Sequence, residues 1–319
     1  MNKVNFNMLQ ANQTVEGAVA VINISETKMS KTNNPYVTLT LKGEVGSSAV
    51  VTIFSRREEI KITAPTVIKG KFTKDRNGYV NMVSVLEPVT DMKVSDFIKV
   101  APVSSEECFN TIMSVFNSLN YKSDEITLYD VVIKLFNMYK EKILIHPASE
   151  CTHHNYVSGL IYHMMKMTKI AYFICTLNEY NIDKEVVMCA TTLSVINKIF
   201  TISVDEEKNG KTNMYYYAYN NGEVNADIVQ DAIRKLSAET GKKVNEKREL
   251  NLMICLKSYR GKCTWGSSVA CITEESVLCS MVHQLDATLD VYEDRRASLN
   301  EYEMSEYDKF IKAGRVLNL

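Results

Sequence analysis

TVEGAVAVINI, residues 14–24, is the stretch from which the fold of the first third of the chain is read. It is rich in β-branched residues, it alternates as a half-buried strand does, and it carries one Gly. Four further segments of the same kind follow: YVTLTLKG (36–43), SAVVTIF (48–54), TVIKGKF (66–72) and YVNMVSVL (79–86). Their separators are turn-like: SETKMSKTNNP, EVGS, a polar stretch over Ser55–Pro65, and KDRNG. Five short strands with a basic first loop predict a small closed β-barrel of the OB-fold type. An SH3-like barrel is the structural alternative.

Beyond the strands, PVTDMKVSDFIKVAP (88–102) is bracketed by prolines and reads as a linker. All five prolines precede residue 148, so the rest of the chain lacks the strongest helix breaker. Apolar residues recur there at i, i+3 and i+4, in Ser104–Leu119, Thr127–Ile143 and the segments 153–180, 183–200, 224–241, 246–258 and 273–295. The expected organisation is an OB-like five-stranded barrel over 1–88, a linker over 89–102 and an all-α domain over 103–319. A polar insert between Ser203 and Gly222 carries Tyr215, Tyr216, Tyr217 and Tyr219. It reads as a hairpin or lid whose tyrosines pack against the body.

Composition narrows the function classes. With 45% hydrophobic and 24% charged residues, the chain is an ordinary globular protein rather than a disordered or collagen-like one. No apolar run reaches the ~18 residues of a membrane span. The start, MNKVNFNMLQ, lacks the apolar core of a signal peptide, so a cytoplasmic location is expected and no membrane partner. Residues 1–88 hold 11 Lys/Arg against 7 Asp/Glu (+4), leaving 26 against 31 (−5) for the remainder. A modestly basic first module can attract a polyanion. The eight cysteines all lie outside it, form no CxxC pair, and read as reduced, mostly buried thiols.

The segment HPASECTHHNYVSGLIYHMMKM (146–167) resembles the start of the HD domain in YhaM-type 3′→5′ exoribonucleases, which runs approximately PAA…HHxYxGGLxxHT. The barrel, the linker, two leading helices and a late Leu285-Asp286-Ala287 occur in that family's order. The resemblance implies an OB-fold followed by a helical HD phosphohydrolase domain. In such a domain His and Asp side chains gather divalent metals that activate water.

It also implies a damaged centre. The family's first metal-ligand His falls on His163. The His-Asp pair, expected in a segment like LLHDIGK, is LSVINK here, with Ser194 and Val195 at the pair's positions. The family's SHHG is Ser258-Tyr259-Arg260-Gly261, and the late Asp is His283. Valine cannot bind a metal and a serine hydroxyl is a poor ligand. The vestigial ligand set is therefore His153, His154, His163 and His283. Arg260 is a candidate phosphate clamp, since a guanidinium can stand in for a cation; in the plainer reading it pairs with a carboxylate. No cofactor is expected, or Mn²⁺ or Mg²⁺ if activity survives. Gly159 is read as permitting close helix–helix approach. Asp231, Glu239, Asp286, Asp290 and Glu293 are read as solvated helix faces.

Other chemistry is excluded: there is no GxxxxGK[ST], GxSxG, HExxH or GxGxxG after a strand. On the barrel, Lys28, Lys31, Arg56, Arg57, Lys74 and Arg76 supply charge, and Tyr36, Phe54 and Tyr79 supply rings, for a single strand of RNA or DNA. The reading is a single-stranded nucleic-acid-binding protein resembling a YhaM-type exoribonuclease but catalytically inactive. Two alternatives stand beside it. One is an active 3′→5′ exoribonuclease with an altered metal set. The other is a phage or mobile-element protein that binds a host protein complex, consistent with an Asn-, Lys-, Ile- and Tyr-rich composition common in low-GC bacteria and their phages. The resemblance further implies a homo-oligomer.

Overall fold

The structure, a computed structural model, describes residues 2–44, 47–83, 87–177, 179–205, 210–297, 299–311 and 313–319. Contacts divide the chain into two compact units. One is centred on Met1–Val100, the other on Ala101–Val204 with Asn209–Leu319.

The first unit is a β-sheet region. Its strands are β1 (Thr14–Ile24), β2 (Lys28–Met29), β3 (Pro35–Lys42), β4 (Ser48–Ile53), β5 (Thr66–Lys74), β6 (Val80–Met82) and β7 (Glu87–Pro88). β1 is central, antiparallel to β3 on one side and to β5 on the other. β4 pairs with β3, and β6 and β7 with β5. All five expected segments contribute strands; residues 84–86 of the fifth lie outside the described residues. Val19, Val21, Leu39, Leu41, Val51, Ile68 and Phe72 meet in one core. Ala18, Ala20, Ile22 and Val67 form the other face. The stretch read as a linker is engaged there: Phe97 is buried against those residues, with Met92, Val94 and Ile98 beside it.

The second unit is helical: α1 (Ser105–Leu119), α2 (Leu128–Ile145), α3 (Gly159–Thr176), α4 (Lys184–Leu193), α5 (Lys198–Thr201), α6 (Met214–Ala218), α7 (Asn221–Thr240), α8 (Glu246–Ser258) and α9 (Glu274–Arg296). It is not all-α. The polar insert forms a small hairpin of β8 (Ile202–Val204) and β9 (Gly210–Thr212), then α6. Tyr215, Tyr217 and Tyr219 on that segment are mostly exposed rather than packed inward. Side-chain caps fix the start of α2, by Thr127 with Asp130, and of α4, by Asp183. All eight cysteines are free and five are buried. Among the described residues no helix is long and apolar enough to cross a membrane.

The helix expected from residue 153 begins only at Gly159. His154 and Ser158 have φ of +46° and +63°, so the loop cannot be helical there. The loop is tied down by backbone bonds from Ala148 N–H to the His154 carbonyl and from Leu160 N–H to the His146 carbonyl. A Cβ at Gly159 would stand 2.0 Å from the His154 carbonyl oxygen. The glycine therefore admits its own preceding loop, not a neighbouring helix.

Candidate functional site

Four imidazoles gather where this loop, α3 and α9 meet. Ser149 Oγ–H donates to the His153 carbonyl at 2.7 Å and fixes His153. α3 presents His163 one turn in from Gly159. α9 carries His283, Asp286 and Asp290 at i, i+3 and i+7, hence on one face. The His153–His163, His163–His283 and His153–His283 ring centroids are 5.0, 5.4 and 5.8 Å apart.

Asp286 is the hub. It is 1% exposed, and its Oδ2 accepts from His163 Nδ1 at 2.5 Å and from His154 Nε2 at 2.7 Å. Lys166 Nζ pairs with its Oδ1 at 2.7 Å. Burial pushes the carboxyl up, but the hydrogen bonds from the two histidines outweigh this and hold it far below the ordinary range. Asp290 accepts the His154 backbone N–H at 2.6 Å and the Tyr156 hydroxyl at 3.2 Å. The reading of Asp286 and Asp290 as solvated faces is thus corrected: both are buried in the polar centre. Asp231 is half-buried and Glu239 exposed, and they pair with Lys235 and Lys134.

A second set of atoms is left over. His153 Nε2, His163 Nε2 and His283 Nδ1 are buried and have no hydrogen-bond partner. Because His163 Nδ1 faces the carboxylate, its proton sits there and Nε2 is a bare acceptor. Burial pulls His163 down to about 4, Asp286 opposing. His153 and His283 are held well below the usual histidine range, first by burial and then by their neighbours' charge.

His153 and His283 line a pocket of about 920 Å³ with Lys198, Tyr216, Tyr217, Tyr259, Arg260 and Trp265. Lys198 is 6% exposed. Burial, with Arg260 nearby, lowers its ammonium to about 7. Arg260 donates from Nε to the Tyr259 hydroxyl (3.0 Å) and from a terminal nitrogen to the Trp265 carbonyl (3.2 Å). Among the described residues neither cation is paired with a carboxylate, so the plainer expectation for Arg260 does not hold. Tyr259 is fully buried with its ring edge-on to His283 at 4.9 Å.

Ser194 and Val195 do not line this pocket. The Ser194 hydroxyl donates to the Thr191 carbonyl at 2.9 Å, and Val195 lies in the apolar core. Asn225 and Asn221 of α7 bind the neighbouring Asn197, by its backbone N–H at 2.8 Å and its side chain at 2.6 Å. In the β unit, Lys28 pairs across strands with Tyr36, whose ring lies 6.2 Å from that of Phe54. Phe54 is 71% exposed. Arg57 N–H bonds Thr27 Oγ1 at 2.9 Å, joining this group. Lys31 and Arg56 are exposed. Lys74, Arg76 and Tyr79 occupy a second location, the β5–β6 turn, which Asp75 closes by accepting the Tyr79 N–H at 2.9 Å.

Comparison with known proteins adds the lineage. A Bacillus pumilus (strain SAFR-032) protein named 3′-5′ exoribonuclease YhaM is 24% identical over 275 residues, 84% of this chain and 83% of the relative. The protein of the same name from Bacillus subtilis (strain 168) is 23% identical over 275 residues, with the same coverage. The chain is a distant relative of the YhaM exoribonucleases. No family model matches it, and no solved structure does.

Two groupings here are close enough to share an ion: His153, His163 and His283, and His154, His163 and Asp286. Mg²⁺ or Mn²⁺, expected only if activity survives, does not fit these residues. Mg²⁺ and Mn²⁺ ask for several oxygen ligands. Asp286, the carboxylate of the second grouping, is already engaged by two N–H groups and an ammonium. Sequence reasoning missed Asp286, Asp290, Lys166 and Lys198. The helical spacing of 283, 286 and 290 signalled the first two, and Lys198 matches the last residue of LLHDIGK.

Proposed function

We propose that this chain is a single-stranded nucleic-acid-binding protein on the frame of a YhaM-type exoribonuclease, without two-ion hydrolysis. One observation carries the reading: two cations, Lys198 and Arg260, line a pocket with Tyr216, Tyr217 and Trp265, and neither is paired with a carboxylate among the described residues. An unpaired buried ammonium costs several kcal/mol unless an anion neutralises it. A phosphate beside a base stacked on Tyr216, Tyr217 or Trp265 answers both features. The strand order β4-β3-β1-β5-β6 of the first unit is compatible with the OB-type barrel expected from the sequence and supports a second grip through Lys28, Tyr36, Phe54 and Arg57. The helical unit then has an HD-like arrangement that holds a strand end rather than cutting it.

Fluorescence anisotropy with short RNA and DNA oligomers, across a salt series, tests this reading. Salt-sensitive binding that weakens in Arg260→Ala is expected. Absence of binding would favour the protein-interaction alternative. Turnover of single-stranded RNA with Mn²⁺, abolished by His163→Ala, would replace the inactive reading with an active exoribonuclease.

A further inference from the structure

We propose that the short helix α6 is a stacking platform for single-stranded nucleic acid, where Tyr215 and Tyr219 take the bases that follow the nucleotide held in the pocket. The proposal rests on the strand-binding reading above and extends the site beyond the pocket. Residues 215–219 hold four tyrosines, and these fall into two pairs. Tyr216 and Tyr217 line the pocket, with the Lys198 ammonium 5.9 Å from the centre of the Tyr216 ring. Tyr215 and Tyr219 do not line it. They stand one helical turn apart, their ring centroids are separated by 6.2 Å, and the rings lie within 16° of parallel. These two residues are 61% and 56% exposed, and the preceding Met214 is 80% exposed.

The rings are held in water by an anchored support. A Cβ at Gly210 would stand 2.4 Å from Pro147 Cγ, so β9 is seated directly on that proline. Thr212 donates its backbone N–H at 3.1 Å and its hydroxyl at 2.5 Å to Glu150. Asn213 caps α6 by accepting the Tyr215 N–H at 3.0 Å, and its side-chain amide donates to the Phe200 carbonyl at 2.8 Å. A fixed support lowers the ordering cost that a partner must meet, and clustered exposed rings mark an interaction surface. A base is the partner that fits. The two rings share nearly one plane direction, so a base laid on one of them continues the stack, and every base offers such a face. Both pairs of tyrosines sit on the same turn, and α6 rises only about 7 Å at ~1.5 Å per residue. A strand leaving the pocket therefore meets the second pair at once. Residues 214–219 carry no charge, so this contact adds affinity without adding salt dependence.

Competition binding to the full-length protein tests this, with a fluorescent RNA hexanucleotide as the probe. The competitors are adenosine monophosphate and its di-, tri- and tetranucleotides. The wild type should bind the trinucleotide about tenfold or more tightly than the mononucleotide, and raised salt should not shrink that ratio. Tyr215→Ala and Tyr219→Ala should each weaken tri- and tetranucleotide binding about fivefold or more, with mononucleotide binding unchanged. Tyr219→Phe keeps the ring and should bind as the wild type does. Circular dichroism confirms the fold of each variant. The proposal is overturned if mononucleotide and trinucleotide bind alike. It is equally overturned if folded Tyr215→Ala and Tyr219→Ala bind the trinucleotide as the wild type does, which would turn these rings over to a protein partner. In both cases the strand-binding reading stands, because the hexanucleotide is still bound. A hexanucleotide that does not bind at all overturns that reading, and the platform with it.

Discussion

His163 Nδ1 on α3 lies 2.5 Å from Asp286 Oδ2 on α9, and both residues are sealed from solvent. The same oxygen takes the His154 N–H, and the other oxygen faces the Lys166 ammonium at 2.7 Å. One carboxylate thus ties the loop before α3, α3 itself and α9. It also dictates which imidazole nitrogen is left facing the pocket.

Removing that carboxylate should damage the helical unit more than a typical core truncation. Asp286→Ala leaves two N–H donors and an ammonium without an acceptor, and loss of one partner from a buried ionic network costs about 3–5 kcal/mol. Asp286→Asn keeps an acceptor oxygen but no charge and should lose less. Urea denaturation of both variants, followed in the helical unit, provides the comparison. Equal, small losses would mean that the network contributes little.

The turn into α3 gives a sharper steric test. Gly159→Ala drives a Cβ against the His154 carbonyl, where the gap is 2.0 Å, and should cost upwards of about 3 kcal/mol or prevent folding. Ser158, at φ +63°, is the reverse case. A left-handed conformation costs a non-glycine residue about 1 kcal/mol, so Ser158→Gly should be neutral or stabilising by up to that amount. Melting temperatures of the two variants should move in opposite directions.

These residues also mark how far the sequence could be read. β1 was legible to the residue, because β-branched alternation bounded by turn chemistry is a local signal. α8 and α9 were legible to within a residue, from helical periodicity. The loop at 153–158 was not: its histidines continue an apolar pattern, and only the backbone contacts of Gly159 force it out of helix. Asp286 and Asp290 were misjudged because a carboxylate is ordinarily solvated. What buries them is a set of N–H donors from residues more than 120 positions away, which no local pattern reports. Lys198 was illegible for a related reason: a lysine is ordinarily solvated, and no local pattern reports the burial that places this one in the pocket wall.

On the β unit, charge and stacking should separate cleanly. Combining Lys28, Lys31, Arg56 and Arg57→Ala removes four cations. If all contact phosphates, the slope of log affinity against log salt should flatten by about 3, at ~0.7 per contact for single strands. Phe54→Ala should instead weaken binding by about 1–3 kcal/mol with an unchanged slope. Anisotropy over a salt series measures both. A quadruple variant with wild-type slope would move the binding surface elsewhere.

Lys198 joins stability to binding, with opposite signs. Replacing its buried ammonium with the apolar chain of Met should raise the melting temperature, because an unpaired charge is removed from the interior. The same change should weaken strand binding and reduce the salt slope by about 0.7. The pH dependence follows from the lysine's depressed value of about 7. Below it the ammonium is charged and ready for a phosphate. Above it the free protein has lost that proton, so binding must take one up, and affinity should fall by up to about tenfold per pH unit between 7 and 9. His153 and His283, held well below 6.5, do not titrate in that window, and Arg260 stays charged throughout. Anisotropy at constant ionic strength should therefore show a decline in the wild type and a flat profile in Lys198→Met. A wild-type profile that is also flat would remove Lys198 from the binding site.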